Sequence, residues 1–77
     1  MLNEAKIKDI IARVFGVDVS AIDAGSSPET IKKWDSLGHM NLVSALEEEL
    51  CIQFEDEEID DMMNVGLILA ITGDKLQ

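Results

Sequence analysis

The residues with the most chemical potential in this chain lie in the stretch "KKWDSLGHM", where Asp35, Ser36, Leu37 and His39 fall within five positions. A serine becomes a nucleophile when a base shares its proton, and His39 is the only histidine in the chain. On a helix, however, side chains three positions apart diverge by about 60°. His39 also falls on the same stripe as Leu42 and Leu46, so it is expected to pack or hydrogen-bond at the edge of the core. A second chemistry suits the position better. Asp35 and Ser36 stand where a loop turns into a helix, and the unpaired N–H groups and positive dipole end there favour an anion such as a phosphate on Ser36. The same residues also fit an ordinary N-cap, with Asp35 or Ser36 holding the first turn.

Two other sets of residues could do chemistry. The run "EDEEIDD" over 55–61 is rich in carboxylates, but it lacks the spacing and the glycine of a calcium loop and reads as a solvated acidic face. No zinc-ligand spacing occurs. Cys51 is the single cysteine, so no internal disulfide can form, and it reads as a small buried thiol in a reducing compartment.

The elements that must position these residues follow from hydropathy patterning. Ile7, Ile10, Ile11, Val14 and Phe15 repeat at i, i+3, i+4, i+7, i+8, which predicts a helix over 3–15 with Asn3 as N-cap and Gly16 as its stop. Residues 16–35 form a long connection containing Gly16, Gly25, Ser26, Ser27 and Pro28. Val19, Ile22 and Ile31 are spaced to pin it to a core, and its length suggests a functional loop or a short helical turn within it. A second helix spans 36–50, with Leu42, Val43, Leu46 and Leu50 on one face. Asn41, Ser44, Ala45 and Glu48 lie mostly on the other. Asp35 suits its N-cap, and Gly38 would let another backbone approach its first turn. Leu37 and Met40 fall at the edge of the apolar stripe, partly exposed.

"CIQFE" alternates like a strand, but a lone strand has no partner, so an extended link with Ile52 and Phe54 inward is expected. A short acidic helix follows over 56–63, with Ile59, Met62 and Met63 inward. A last helix covers 64–77, with Val65, Ile68, Leu69, Thr72 and Leu76 on its inner face. The sum is an all-α fold, a small four-helix bundle of three longer helices and a short third one, with a long loop between the first two. The 77 residues are expected to form a single domain.

Composition narrows the partners. Sixteen acidic residues against six basic ones give a formal charge of −10, which argues against nucleic acid and against anionic membrane surfaces. Partners are expected to carry basic patches. "MLNEAKIKDIIARVF" does not read as a signal peptide, and no stretch has the roughly 18 apolar residues of a membrane span. The expected location is cytoplasmic and the expected state a monomer.

The pattern as a whole resembles the acyl carrier protein family. The resemblance rests on "DSL" after a long loop, on the helix ending "ALEEEL", on the "C-I-x-F" exit, and on the acidic third and apolar last helices. It covers essentially the whole chain. The resemblance implies that the protein is not an enzyme. It implies a carrier whose Ser36, flanked by Asp35 and Leu37, receives a 4′-phosphopantetheine arm from coenzyme A through a phosphopantetheinyl transferase that uses Mg²⁺. Acyl groups are then held as thioesters and presented to acyl-transferring and acyl-processing enzymes of fatty acid or related biosynthesis. Leu37 and Met40, with Glu47, Glu48, Asp56 and Glu57, would form the docking face. Asn41 and Ser44 stand where carriers of type II fatty acid synthesis usually have an acidic residue and often an apolar one. Gly38, His39 and Met40 differ too, which brings in a specialised carrier, such as an aminoacyl, D-alanyl or peptidyl carrier. Outside the family, the rival is a non-carrier acidic helical module that binds basic partners and leaves Ser36 unmodified.

Overall fold

The first helix forms where the apolar period is cleanest. In a computed structural model that describes residues 4–76, α1 spans Glu4–Phe15, with Ile7, Ile10, Ile11, Ala12 and Phe15 buried. Gly16 follows with φ 67, the left-handed stop that costs a glycine little. The proposed Asn3 cap lies outside the described residues. Among those residues there are four α-helices and no strand: α2 spans Ser36–Leu50, α3 Asp56–Asp61 and α4 Val65–Lys75. The fold is the expected all-α bundle with a short third helix. Its Cα radius of gyration is 11.1 Å, against roughly 11.5 Å for a compact chain of this length.

The long connection is well ordered by its own hydrogen bonds. Its short helical turn is a 3-10 turn at Val19–Ala21, which Asp18 caps by accepting from the Ser20 N–H. Ile22 and Ile31 are buried as expected. Val19 is not an anchor: it lies on the tight turn and is 45% exposed. The loop is fastened instead to the start of α4, where the Val65 N–H donates to Ser26 O (2.9 Å) and the Gly66 N–H to Ala24 O (3.1 Å). The Ser26 hydroxyl is buried, and its oxygen accepts from the Asp23 N–H.

α1 packs against α2 and α4 and touches the 3-10 turn. The shared core is Ile7, Ile10, Ile11, Phe15, Leu42, Leu46, Met62, Val65 and Ile68, all nearly inaccessible to water. Leu50 is only partly buried, at the margin of that core. Trp34 belongs to the core as well and stacks on Phe15 with ring centroids 5.3 Å apart. In α4 the inner face is Val65, Ile68, Leu69 and Thr72, with Gly73 also buried and Leu76 partly so. The link from α2 to α3 is extended, with Phe54 buried and Ile52 half-buried.

Three further expectations need correction. Met63 is 50% exposed, because α3 ends at Asp61 and the chain then leaves the helix at Met62. Cys51 is exposed, because it sits just past α2 in a left-handed conformation (φ 54) that turns its side chain to solvent. Glu47, expected on the open face of α2, is half-buried, and its Oε2 accepts the Phe54 N–H at 2.9 Å. Its own carbonyl accepts from Cys51 and Ile52, so Glu47 holds the whole exit from α2.

Gly38 has a steric reason to be glycine. A Cβ placed there would collide with the Lys33 carbonyl oxygen and crowd the Phe15 ring. Gly38→Ala should therefore destabilise the fold by about 1–3 kcal/mol, as overpacking does, although alanine is the better helix former. Urea unfolding of the two proteins checks this, and equal midpoints would remove the steric argument.

Candidate functional site

The site is organised by the start of α2. Asp35 is extended (φ −96, ψ −170), and its Oδ1 accepts the Gly38 N–H at 2.8 Å. Asp35 is therefore the cap, which decides between the two cap residues that the sequence allowed. Ser36 is the first residue of the helix and is exposed. Its hydroxyl makes no hydrogen bond to any described residue. The arrangement leaves an oxygen nucleophile with no structural duty, at the end of a helix where free N–H groups point outward.

His39 lies one turn along α2 and is fully engaged. Its Nδ1 accepts the Trp34 Nε1–H at 2.9 Å. An accepting Nδ1 fixes the proton on Nε2, which faces the Ile59 carbonyl oxygen at 2.8 Å and donates to it. Both ring nitrogens are committed, so neither can serve Ser36 as a base. The His39 ring lies nearly parallel to Trp34, 15° between planes and 6.2 Å between centroids. Phe15, Trp34 and His39 thus form a row of rings from α1 to α2, and the row ends on an α3 carbonyl.

Beside Ser36 lies an open cleft of about 340 Å³, lined by Pro28, Trp34, Asp35, Ser36, His39 and Met63. Nothing in the local pattern groups Pro28 or Met63 with Ser36. They meet only because the loop and the α3–α4 link close on the same end of the bundle. The apolar surface expected near Ser36 is present: Leu37 is 73% exposed and Met40 50%.

The acidic residues divide into two groups. Glu48, Asp56 and Glu57 are exposed. Glu47 is tied to the backbone, as above, and Glu58 is tied twice: its Oε1 accepts the Lys75 ammonium at 2.8 Å and the Glu55 N–H at 2.7 Å. The Lys75 hydrogen bond first, and the Glu55 N–H second, hold the Glu58 carboxyl below its ordinary range. Among the described residues no group of three or more His, Cys, Asp or Glu side chains is placed to hold a metal ion. No helix among them is long and apolar enough to cross a membrane.

No family profile matches the chain. The chain is 43% identical over 61 residues to an acyl carrier protein of Clostridium acetobutylicum, covering 79% of each chain. The fold superposes on the solution structure of a holo acyl carrier protein from Geobacter metallireducens with a TM-score of 0.87. That match has 33% identity and spans 99% of this chain and 87% of the other. A small helical carrier is the class that this fold and these relatives define. The chain belongs to the acyl carrier protein family. Its role is to carry acyl groups, and it is not an enzyme.

The Glu58–Lys75 pair has a pH signature. A carboxyl whose folded pKa is depressed contributes stability above its unfolded value, about 4.3, and that contribution disappears as pH falls through the lower folded value. Glu58→Gln can still accept the Glu55 N–H but cannot pair with Lys75. It should melt lower than the wild type at pH 7, and the gap should close below about pH 4. Thermal melts across that range check it, and a gap independent of pH would assign the loss to something other than the charge pair.

Proposed function

We propose that Ser36 is the attachment point of a 4′-phosphopantetheine group and that the chain presents acyl thioesters to acyl-processing enzymes with basic surfaces. The observation that carries this reading is the exposed Ser36 hydroxyl, relieved of capping by Asp35. The residues around it fit such a group. The hydroxyl is open to a transferase, the helix end suits a phosphodiester, and the cleft beside it offers Pro28, Trp34 and Met63 as apolar contacts. When bound, the group supplies a flexible chain ending in a thiol on which the acyl cargo is held. Everything else is done by the protein's own residues: Asp35 fixes the helix start, and Leu37 and Met40 offer an apolar contact beside Ser36.

The charged part of the docking face is weighted toward α3. Asn41 is neutral and exposed on α2, and Glu47 is turned to the Phe54 N–H, so α2 contributes Glu48 while Asp56 and Glu57 lie on α3. This thinner charge on α2, with Ser44 also exposed, favours a specialised carrier over the general carrier of fatty acid synthesis. Partner enzymes are then recognised by a basic patch set against α3 and an apolar pocket for Leu37. Such a face gives modest affinity, because exposed ion pairs contribute little each and are screened by salt.

Two experiments test this reading. Ser36→Ala should fold with stability within about 0.5 kcal/mol of the wild type, because Ser36 caps nothing. It should accept no group from coenzyme A in the presence of Mg²⁺ and a phosphopantetheinyl transferase. Circular dichroism and intact mass read both properties, and a mutant still modified would move the site. For the docking face, the double change Glu48→Gln, Glu57→Gln should slow transfer several-fold at low salt, and the two proteins should converge as salt rises. Glu47→Gln should instead lower stability, because it weakens the acceptor for Phe54. Equal transfer rates for the double mutant at low salt would remove Glu48 and Glu57 from the docking face.

A further inference from the structure

The third helix has six residues and none of them is buried. It cannot be held in place by a core of its own. Its position depends on a few fastenings: the Ile59 side chain, partly buried against the core; Met62 just beyond its end, which is fully buried; the Lys75–Glu58 ion pair at 2.8 Å; and the Ile59 carbonyl on His39 Nε2 at 2.8 Å. The last of these is made by a residue that lines the same cleft as Ser36. His39 lines the cleft with Ser36, and its ring bridges α2 to α3 while Trp34 holds its other nitrogen. Trp34 is itself fixed, 2% exposed and stacked on Phe15 of α1. A row of rings therefore runs from the core to an α3 carbonyl, along the inner side of the cleft that Ser36 lines.

We propose that Trp34 and His39 form a latch that keeps α3 closed on α2, so that cargo attached at Ser36 stays in the outer cleft and the protein carries short acyl groups rather than long alkyl chains. This rests on the assignment of Ser36 as the attachment point. The cleft is the space left outside the latch, and Ser36 is part of its wall, so a short tethered group reaches it without moving the helix. Pro28, Trp34 and Met63 give it apolar contacts, while Asp35 and His39 make its rim polar. Entry of a longer chain between α2 and α3 would break the hydrogen bond to Ile59 and leave the imidazole N–H without a partner, while the Ile59 carbonyl would keep only the Met62 N–H at 3.3 Å. His39 is thus a positioning residue that selects cargo by holding α3, without reacting with it.

The latch can be examined first in the unmodified protein. His39→Ala should speed amide hydrogen exchange at Ile59 and Met62 roughly tenfold, the equivalent of one lost hydrogen bond. Trp34→Phe, which keeps a ring on Phe15 but removes the donor to Nδ1, should do the same to a smaller extent. His39→Gln should restore protection, because its amide offers an acceptor to Trp34 and a donor to Ile59. Unchanged exchange in His39→Ala would overturn the latch whether or not Ser36 is ever modified. Selection is read on protein loaded from acetyl-, butyryl- and octanoyl-coenzyme A. The wild type should show one melting temperature for all three and no chain-length-dependent shifts of the Leu42, Leu46 and Ile68 methyl signals. In His39→Ala, octanoyl loading should raise the melting temperature and shift those signals. Interior shifts that grow with chain length in the wild type would overturn the exclusion of cargo, and a flat response in both proteins would overturn the role of His39. Failure to load any of the three at Ser36 would instead reject the attachment assignment, and the exchange result would stand apart from it.

Discussion

The hydrogen bond from the Gly38 amide to Asp35 Oδ1 fixes where α2 begins, and the rest of the site follows from that start. With Asp35 as cap, Ser36 is the first helical residue and its hydroxyl is left over. The helical period then puts Leu37 and Met40 outward and His39 toward α3, while Leu42, Val43 and Leu46 enter the core. The tight start is possible because residue 38 has no Cβ to meet the Lys33 carbonyl. A cap at Ser36 would shift the duty of the two oxygens: the hydroxyl would be occupied and the carboxylate free. That would suit a stable helix equally well and a modifiable serine far less.

A second constraint is the imbalance between what α3 must do and what holds it. Its exposed carboxylates suit contact with partners, but they repel one another and their neighbours in a chain of net charge −10. The protein answers with polar fastenings in place of burial. Lys75 reaches Glu58 and lies 5.9 Å from the centre of the Phe54 ring, and His39 holds Ile59. Glu47 plays the same part at the other end of the link by accepting from Phe54. Residues that look like surface charge in the sequence are therefore divided between those offered to solvent and those that secure the backbone. The side of the bundle next to Ser36 is consequently held by a few directional bonds, each of which a single substitution can remove.

Local sequence signals carried much of this. The i, i+3, i+4 repeat of α1, the glycine that stops it, and the Asp-Ser-Leu start of α2 are properties of adjacent residues, and they put Ser36 at the first position of α2. The length of the long loop allowed either a functional loop or a short helical turn, and the turn is present at Val19–Ala21. Tertiary facts were not legible in the same way. The bond from Phe54 to Glu47 spans seven positions and an extended link, so nothing local distinguishes Glu47 from Glu48. The exposure of Met63 depends on where α3 ends, and that of Val19 on which way a tight turn faces. Cys51 is outward because it takes the left-handed position after α2, which the sequence would normally mark with glycine. The sequence reading put His39 at the core edge. That both its nitrogens are spoken for needed the position of α3.

The carrier role proposed for the site depends on which oxygen is modified. The most direct measurement is peptide mapping by mass spectrometry of the wild-type protein after exposure to coenzyme A, Mg²⁺ and a broad-specificity phosphopantetheinyl transferase. The expected result is one phosphopantetheinyl group per chain, on the peptide containing Asp35, Ser36 and Leu37, with fragment ions placing it on Ser36. No gain in mass under conditions that modify a control carrier, or a gain located on another residue, would contradict the account.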